Sequence, residues 1–80
     1  IGKIVDWELQ VLVVATFPDH YDILTMPTSG YPGTLLTLYP QNSHQRTFID
    51  NVKAGTKIKI KGKIAGIFQR RIQINPALLN

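Results

Sequence analysis

Apolar and polar residues alternate most regularly over residues 57–64, which read Lys-Ile-Lys-Ile-Lys-Gly-Lys-Ile. Successive side chains on a β-strand point to opposite faces, so the lysines share one face and the isoleucines share the other. A helix would scatter residues at a spacing of two around its axis and would leave no apolar stripe. The pattern therefore predicts a strand with a buried isoleucine face and an exposed lysine face.

A longer alternation predicts the first strand, over residues 4–14. Trp7, Leu9, Val11 and Val13 occupy every second position and are expected to face the core, where aromatic residues contribute much of the buried area of a small domain. From Val11 onward both faces are apolar. This is typical of a strand that bends across a closed barrel and becomes buried on both sides.

Three shorter strands complete the predicted sheet. Residues 21–26 and 34–39 form a hairpin around residues 27–33, a turn that holds two prolines and two glycines. Residues 71–75 form the fifth strand, and Pro76 is expected to end it because proline cannot donate a hydrogen bond to a neighbouring strand.

One segment, residues 41–54, has a helical pattern. We predict a short helix or a helical turn there, begun by Asn42 or Ser43 as the capping residue and followed by Gly55, a residue common after helix ends. The apolar spacings that indicate it are those of Phe48, Ile49 and Val52.

This order of elements, in a chain of 80 residues without an internal repeat, predicts one domain over residues 1–80. The predicted fold is all-β: a small five-stranded Greek-key barrel, the OB-fold, with a short helix between strands three and four.

A resemblance in sequence supports the same fold. Residues 52–64 read Val-Lys-Ala-Gly-Thr-Lys-Ile-Lys-Ile-Lys-Gly-Lys-Ile, and Gly55 and Gly62 are the firmest points of the match. The segment resembles the run that opens the fourth strand in many OB-fold domains, particularly those of the tRNA-anticodon-binding-like family. OB-folds bind nucleic acid, oligosaccharide and protein alike, so the resemblance implies a fold more than a ligand.

The distribution of charge along the chain bears on which ligand the domain binds, because it is uneven. The net charge is +4, but the first 40 residues hold one basic and four acidic residues, whereas the last 40 hold eight basic residues and one acidic residue. A basic half of this kind favours phosphate backbones or other anionic surfaces as partners.

Cysteine is absent, so neither disulfides nor thiolate zinc sites stabilise the fold. No apolar run is long enough to predict a membrane span. The chain begins with Ile1 rather than Met, and we expect a mature, trimmed or partial product. A cytoplasmic location would suit nucleic-acid binding, and a periplasmic or lipoprotein-anchored location would suit a chain whose leader was removed.

The sequence predicts no catalytic or metal site. His20 and Asp22 have no serine, cysteine or second carboxylate suggested nearby, and a base without a nucleophile or an oxyanion site cannot form an active centre. His20 and His44 lack the spacing of metal ligands. No glycine-rich phosphate loop is present, so we predict a non-enzymatic protein without cofactor.

The lysine face of residues 57–64 has two interpretations. It follows a phosphate backbone, or it keeps an exposed strand soluble and prevents edge-to-edge pairing. OB-folds usually bind through the face of strands two and three and the flanking loops, which favours the second interpretation. The residues concerned are Lys57, Lys59, Lys61 and Lys63.

The predicted loop between strands four and five, residues 65–70, is the better candidate. Phe68 lies beside Arg70 and Arg71, and stacking and phosphate pairing are the two interactions that single-stranded binding needs. Alternatively, Phe68 covers the end of the barrel. Residues in or beside the loop over 17–20 are expected to line the same groove, since these two loops face each other in OB-folds. They are Phe17, His20 and Tyr21, together with Tyr39 from the end of strand three.

These features predict an OB-fold that binds single-stranded nucleic acid with little sequence preference. The alternative is a non-enzymatic module that binds a protein, for example as part of an exported or envelope-associated bacterial assembly. Few predicted outer aromatics and the apolar turn over residues 27–33 favour the alternative.

Overall fold

A computed structural model describes residues 2–27 and 33–80 of the chain. The strands close into a barrel in the order β1-β2-β3-β5-β4, with β4 pairing back onto β1. Among the pairings of the described residues, only that of β3 with β5 is parallel. The predicted five-stranded OB-type barrel, with its short helix between β3 and β4, is confirmed. The elements are β1 Ile4–Thr16, β2 Tyr21–Thr25, β3 Thr34–Leu38, α1 Ser43–Asp50, β4 Lys57–Phe68 and β5 Arg71–Leu79.

Alternation along the strands builds the core. In β4, Ile58 and Ile60 are buried whereas the intervening lysines are exposed, as predicted. Trp7 is partly buried and packs against the core. The antiparallel β2–β3 pair confirms the predicted hairpin. Residues 28–32 of the predicted turn lie outside the described residues.

A β-bulge in β1 reverses the predicted orientation of Val13. Val11 pairs with Thr25, but Val13 rather than Leu12 pairs with Leu24, so Leu12 is the extra residue. The alternation shifts by one position, and Val13 lies 55% exposed while Val14 packs against the core. The prediction that Val13 faces inward is therefore wrong, because a bulge changes which face each later residue occupies.

Two more irregularities extend the last two strands beyond their predicted ends. β4 continues to Phe68, so most of the predicted loop over residues 65–70 is strand. β5 continues through Pro76 to Leu79, because Asn75 and Pro76 bulge out of the ladder between the pairs Ile64–Ile74 and Gly62–Ala77. A residue in a bulge need not donate a ladder hydrogen bond, so proline is tolerated there.

Gly62 is the residue of β4 against which this bulge packs most closely. It is buried opposite Ala77, and a Cβ atom added to it would clash with the Ile74 side chain and lie 2.7 Å from the Pro76 carbonyl oxygen. The glycine that the sequence resemblance marked is thus required by close packing of two strands.

Helix α1 is shorter than the predicted 41–54. The side chain of Asn42 accepts a hydrogen bond from the Gln45 amide at 2.9 Å, which satisfies one of the free amide groups of the first turn. Ile49 is buried in the core, and Asn51 ends the helix, so Gly55 lies in the loop before β4 and does not cap α1. Within the described residues, no helix has the length and apolarity that crossing a membrane requires.

Two threonines join β2 to β3 where the long connection between them begins and ends. The hydroxyls of Thr25 and Thr34 lie 2.7 Å apart, and the Thr34 amide donates to the Thr25 hydroxyl at 2.8 Å. Both residues are buried. Gly33 lies against the same point, since an added Cβ would lie 2.7 Å from the Thr25 carbonyl oxygen.

Candidate nucleic-acid interface

The β4–β5 hairpin extends past the first strand of the barrel. The last contacts of β4 with the start of the chain are hydrogen bonds between Ile64 and residues Gly2 and Lys3. Beyond them, residues 65–68 pair only with β5 among the described residues. Ile67 and Phe68 are 72% and 60% exposed, respectively. The hairpin therefore presents large apolar side chains to solvent.

A third bulge, in β4, decides which way Phe68 points. Ile64 pairs with Ile74 and Gly66 pairs with Gln73, which leaves Ala65 as the extra residue of β4. Without it, Phe68 would share the inward face of Ile64. With it, Phe68 pairs with Arg71 on the outward face, the face that carries the lysines of the same strand. The structure thus brings the lysine face, an exposed aromatic ring and an arginine onto one surface.

Two residues form the turn of the hairpin. Gln69 and Arg70 have φ angles of 50° and 65°, and positive φ at both central residues is the mark of a type I′ turn, which Asn-Gly sequences favour. Residues with a Cβ atom adopt this conformation at a cost of about 1 kcal/mol or more each relative to glycine. Residues kept in strained backbone conformations are often functional. The Arg70 side chain is exposed, so it can contact a ligand.

The lysines of β4 have different neighbours across the β1–β4 pairing. Lys61 lies opposite Asp6 and Lys59 lies opposite Glu8, whereas Lys57 faces Gln10 and Lys63 faces Ile4. Among the described residues, every ion pair within 4.0 Å involves His20, so the lysines form none. Opposite charges on facing residues still attract each other, so positive potential is greatest at the two ends of the row. This register could not be derived from the sequence.

The loop after β1 holds a cluster of aromatic rings and carboxylates, and Arg46 of α1 donates a hydrogen bond to its Pro18 carbonyl oxygen at 3.4 Å. The rings of Phe17 and His20 stack with centroids 4.7 Å apart, and Tyr39 lies 5.8 Å from His20. His20 Nδ1 lies 2.6 Å from the Asp19 carboxylate, and this hydrogen bond lowers the pKa of Asp19. His20 Nε2 lies 3.6 Å from Asp22. The cluster is thus negatively charged at its edge and its rings are partly occupied by each other, which disfavours a nucleic-acid strand.

Tyr21 was expected to stack on a base, and the structure contradicts this. Its position in β2 points inward, where the residue is fully buried. The hydroxyl donates a hydrogen bond of 2.6 Å to Asp50 at the end of α1, and Arg46 lies 5.9 Å from the ring centre. Tyr21 therefore joins the helix to the barrel and has no surface for a ligand.

We expect Tyr21→Phe to lower the free energy of unfolding by about 1 kcal/mol at neutral pH, since one hydrogen bond is lost. The hydrogen bond to Asp50, followed by burial, raises the pKa of Tyr21 above its usual 10.0. The unfolded chain then ionises first, so this contribution is present below pH 10.0 and is lost as the pH rises through the raised pKa.

Urea denaturation at neutral and alkaline pH checks this prediction. The variant should lose less stability than the wild type on going to alkaline pH. Tyr39→Phe is the control, because the Tyr39 hydroxyl has no hydrogen-bond partner within the described residues. Equal losses in the two variants would contradict the role given to Tyr21.

The two loops expected to line one groove lie at opposite ends of the barrel. Tyr21, after the first loop, pairs with Leu38 at the end of β3, whereas Ile72, after the hairpin turn, pairs with Thr34 at its start. Four residues of strand separate these levels, or about 13 Å. The two loops therefore flank β3 at its two ends, and a groove lined by both stays a prediction.

The outward face of β2 and β3, the usual ligand face of OB-folds, also differs from what a polyanion requires. Leu24 lies between Val13 and Leu35 in an apolar row. Asp22, opposite Thr37, is the one charged residue among the described outward positions of these two strands. This face suits an apolar surface better than phosphates.

Phe48 was missed as a surface residue. The helical spacing groups Phe48 with Ile49 and Val52 as apolar residues, but Phe48 is 46% exposed while Ile49 is buried. Two adjacent apolar residues on a helix point about 100° apart, so a short helix buries only one of them fully. The sequence contains one indication of this exposure: Phe48 directly precedes Ile49, the buried residue of the helix, so the two side chains cannot both face the core.

Within residues 2–27 and 33–80, no group of three or more histidine, cysteine or acidic residues is arranged to hold a metal ion. Comparison of the chain with protein-family models, curated proteins and solved structures finds no match. The resemblance of residues 52–64 to the anticodon-binding-like family therefore stays a prediction.

Proposed function

We propose that this domain binds single-stranded nucleic acid, with little sequence preference, along the outward face of β4 and the β4–β5 hairpin. The observation that carries the proposal is the placement of Phe68, 60% exposed, on the lysine-bearing face and directly opposite Arg71. Stacking on an exposed ring and neutralisation of phosphates are the two interactions on which sequence-tolerant binding depends.

Each part of this surface has its own role. Phe68 stacks on a base, Arg70 and Arg71 pair with the adjacent phosphates, and Lys63 continues the positive surface along the strand. Lys59 and Lys61 contribute less, because Glu8 and Asp6 face them. Specific base readout is not expected, since stacking and phosphate contacts are made to any base.

A titration at two salt concentrations tests the proposal. The probe is a fluorescein-labelled oligothymidylate of about twelve nucleotides, within the usual site size of an OB-fold. With the three phosphate contacts made by Arg70, Arg71 and Lys63, the affinity should fall at least about twentyfold between about 50 and 200 mM salt. A duplex of the same length is the control and should bind more weakly, because its bases are not free to stack. No binding at low salt, or binding indifferent to salt, would contradict the proposal.

A protein-binding module is the second candidate function. The observation that favours it is the apolar row of Val13, Leu24 and Leu35 on the outward face of β2 and β3, in which Val13 is 55% exposed. Exposed apolar rows on a sheet are typical of protein-binding surfaces. Failure of the oligonucleotide titration would favour this candidate, and Leu24→Lys should then weaken partner binding without affecting the hairpin.

A further inference from the structure

A groove separates α1 from the beginning of β4, at the end of the lysine row opposite the hairpin. Its volume is about 470 Å³. It is formed by the outer side of the helix, the first residues of β4 and the end of β5. The residues that line it include His44, Phe48, Lys57, Lys59, Leu79 and Glu8.

The groove combines an aromatic ring with positive charge. Phe48 is 46% exposed although it belongs to a helix that packs on the barrel, and Ile58 and Leu79 give the groove an apolar floor. Lys57 stands at the rim and faces uncharged Gln10 across the strand pair, so its charge is not offset there. A flat apolar ring beside a free ammonium group complements a base and its phosphate.

One acidic residue opposes this chemistry. Glu8 lies on the rim and faces Lys59 across the β1–β4 pair. It reduces the attraction of the groove for an anion without blocking the Phe48 ring, so its removal is a sensitive probe of whether phosphate binds here.

From these features we infer that the groove is a second stacking subsite for the same nucleic-acid strand, with a base against Phe48 and a phosphate on Lys57. The inference rests on the proposed function. Lys57 and Phe68 are eleven residues apart on β4, or about 36 Å at most, so a single strand of about a dozen nucleotides is long enough to reach both the groove and the hairpin. The row between them, with its charges partly offset, serves as the connecting surface.

The test measures binding of the labelled oligothymidylate to single-residue variants. Phe48→Ala should weaken binding about fivefold, which corresponds to the loss of one stacked base. Lys57→Gln should weaken it about threefold and reduce the salt dependence by about one phosphate contact. Glu8→Gln should strengthen binding about twofold, because a repulsive charge is removed.

Matched controls separate these effects from general loss of charge or apolar surface. Lys53→Gln removes an exposed basic residue that does not line the groove, and Leu12→Ala trims an exposed apolar residue on β1. Both should bind as the wild type does. If Phe48→Ala unfolds the helix, Phe48→Leu keeps the apolar contact while removing the aromatic face, and it should show the same loss.

The outcomes distinguish this inference from the function on which it rests. Wild-type binding that is weakened by Arg70→Gly but unchanged in the Phe48 and Lys57 variants overturns the subsite and leaves the proposed function in place. Absence of wild-type binding at low salt overturns both. Amide chemical-shift changes at residues 44–48 on addition of oligonucleotide would support the subsite, and their absence under saturating conditions would overturn it.

Discussion

Replacing Gly62 with alanine should lower the free energy of unfolding by about 1–3 kcal/mol, the usual cost of forcing extra volume into a packed interior. The added methyl group would collide with the Ile74 side chain and approach the Pro76 carbonyl oxygen to 2.7 Å. Both neighbours belong to the core or to strand backbone, so neither can move without distorting the β4–β5 ladder. The measurement is urea denaturation followed by circular dichroism.

Gly66 supplies the matched control in the same strand. An added Cβ atom at Gly66 meets nothing within 4 Å, and alanine is slightly favoured over glycine within a strand. Gly66→Ala should therefore unfold at the same or slightly higher urea concentration than the wild type. Equal destabilisation at both positions would show that close packing against β5 is not the reason for glycine at position 62.

Arg70→Gly should change stability and binding in opposite directions. Glycine adopts the φ of 65° without strain, so the free energy of unfolding should rise by up to about 1 kcal/mol. The same variant loses a guanidinium group on the exposed tip, and affinity for the oligothymidylate should fall about tenfold at low salt. Fluorescence anisotropy and urea denaturation on one preparation measure both quantities.

The expected gain in stability and loss of affinity make this test informative, because a misfolded variant cannot be more stable than the wild type. Gln69→Gly is the control: it relieves the neighbouring positive φ of 50° but removes no charge. It should gain stability and keep its affinity. A gain in stability at Arg70 with unchanged affinity would show that this arginine does not contact the nucleic acid.

The order and type of the elements could be predicted because they depend on local pattern. The alternation of residues 57–64 predicts both the strand and the burial of Ile58 and Ile60, which the structure confirms. Bulges have no such signature. One extra residue at Leu12 turns Val13 outward, and one at Ala65 turns Phe68 toward the lysines. Alternation alone assigns both side chains to the wrong face.

The candidate site could be predicted only in part for a related reason. Phe68, Arg70 and Arg71 are neighbours along the chain, so their proximity follows from the sequence alone. Carboxylates lie opposite Lys59 and Lys61 only because of the register of β1 against β4. This register pairs residues about fifty positions apart, so local pattern does not determine it. The hydrogen bond from Tyr21 to Asp50 joins residues 29 positions apart, again a tertiary contact.

The Thr25–Thr34 pair has a consequence for the evolution of this domain. Two buried hydroxyls close the β2–β3 hairpin at its base, so the register of the two strands does not depend on the residues that connect them. Lengthening a closed loop costs little, about 0.6 kcal/mol for each doubling. The connection between these strands is thus a place where insertions can accumulate, and where related chains can acquire new recognition segments, while the barrel and its β4 surface stay the same.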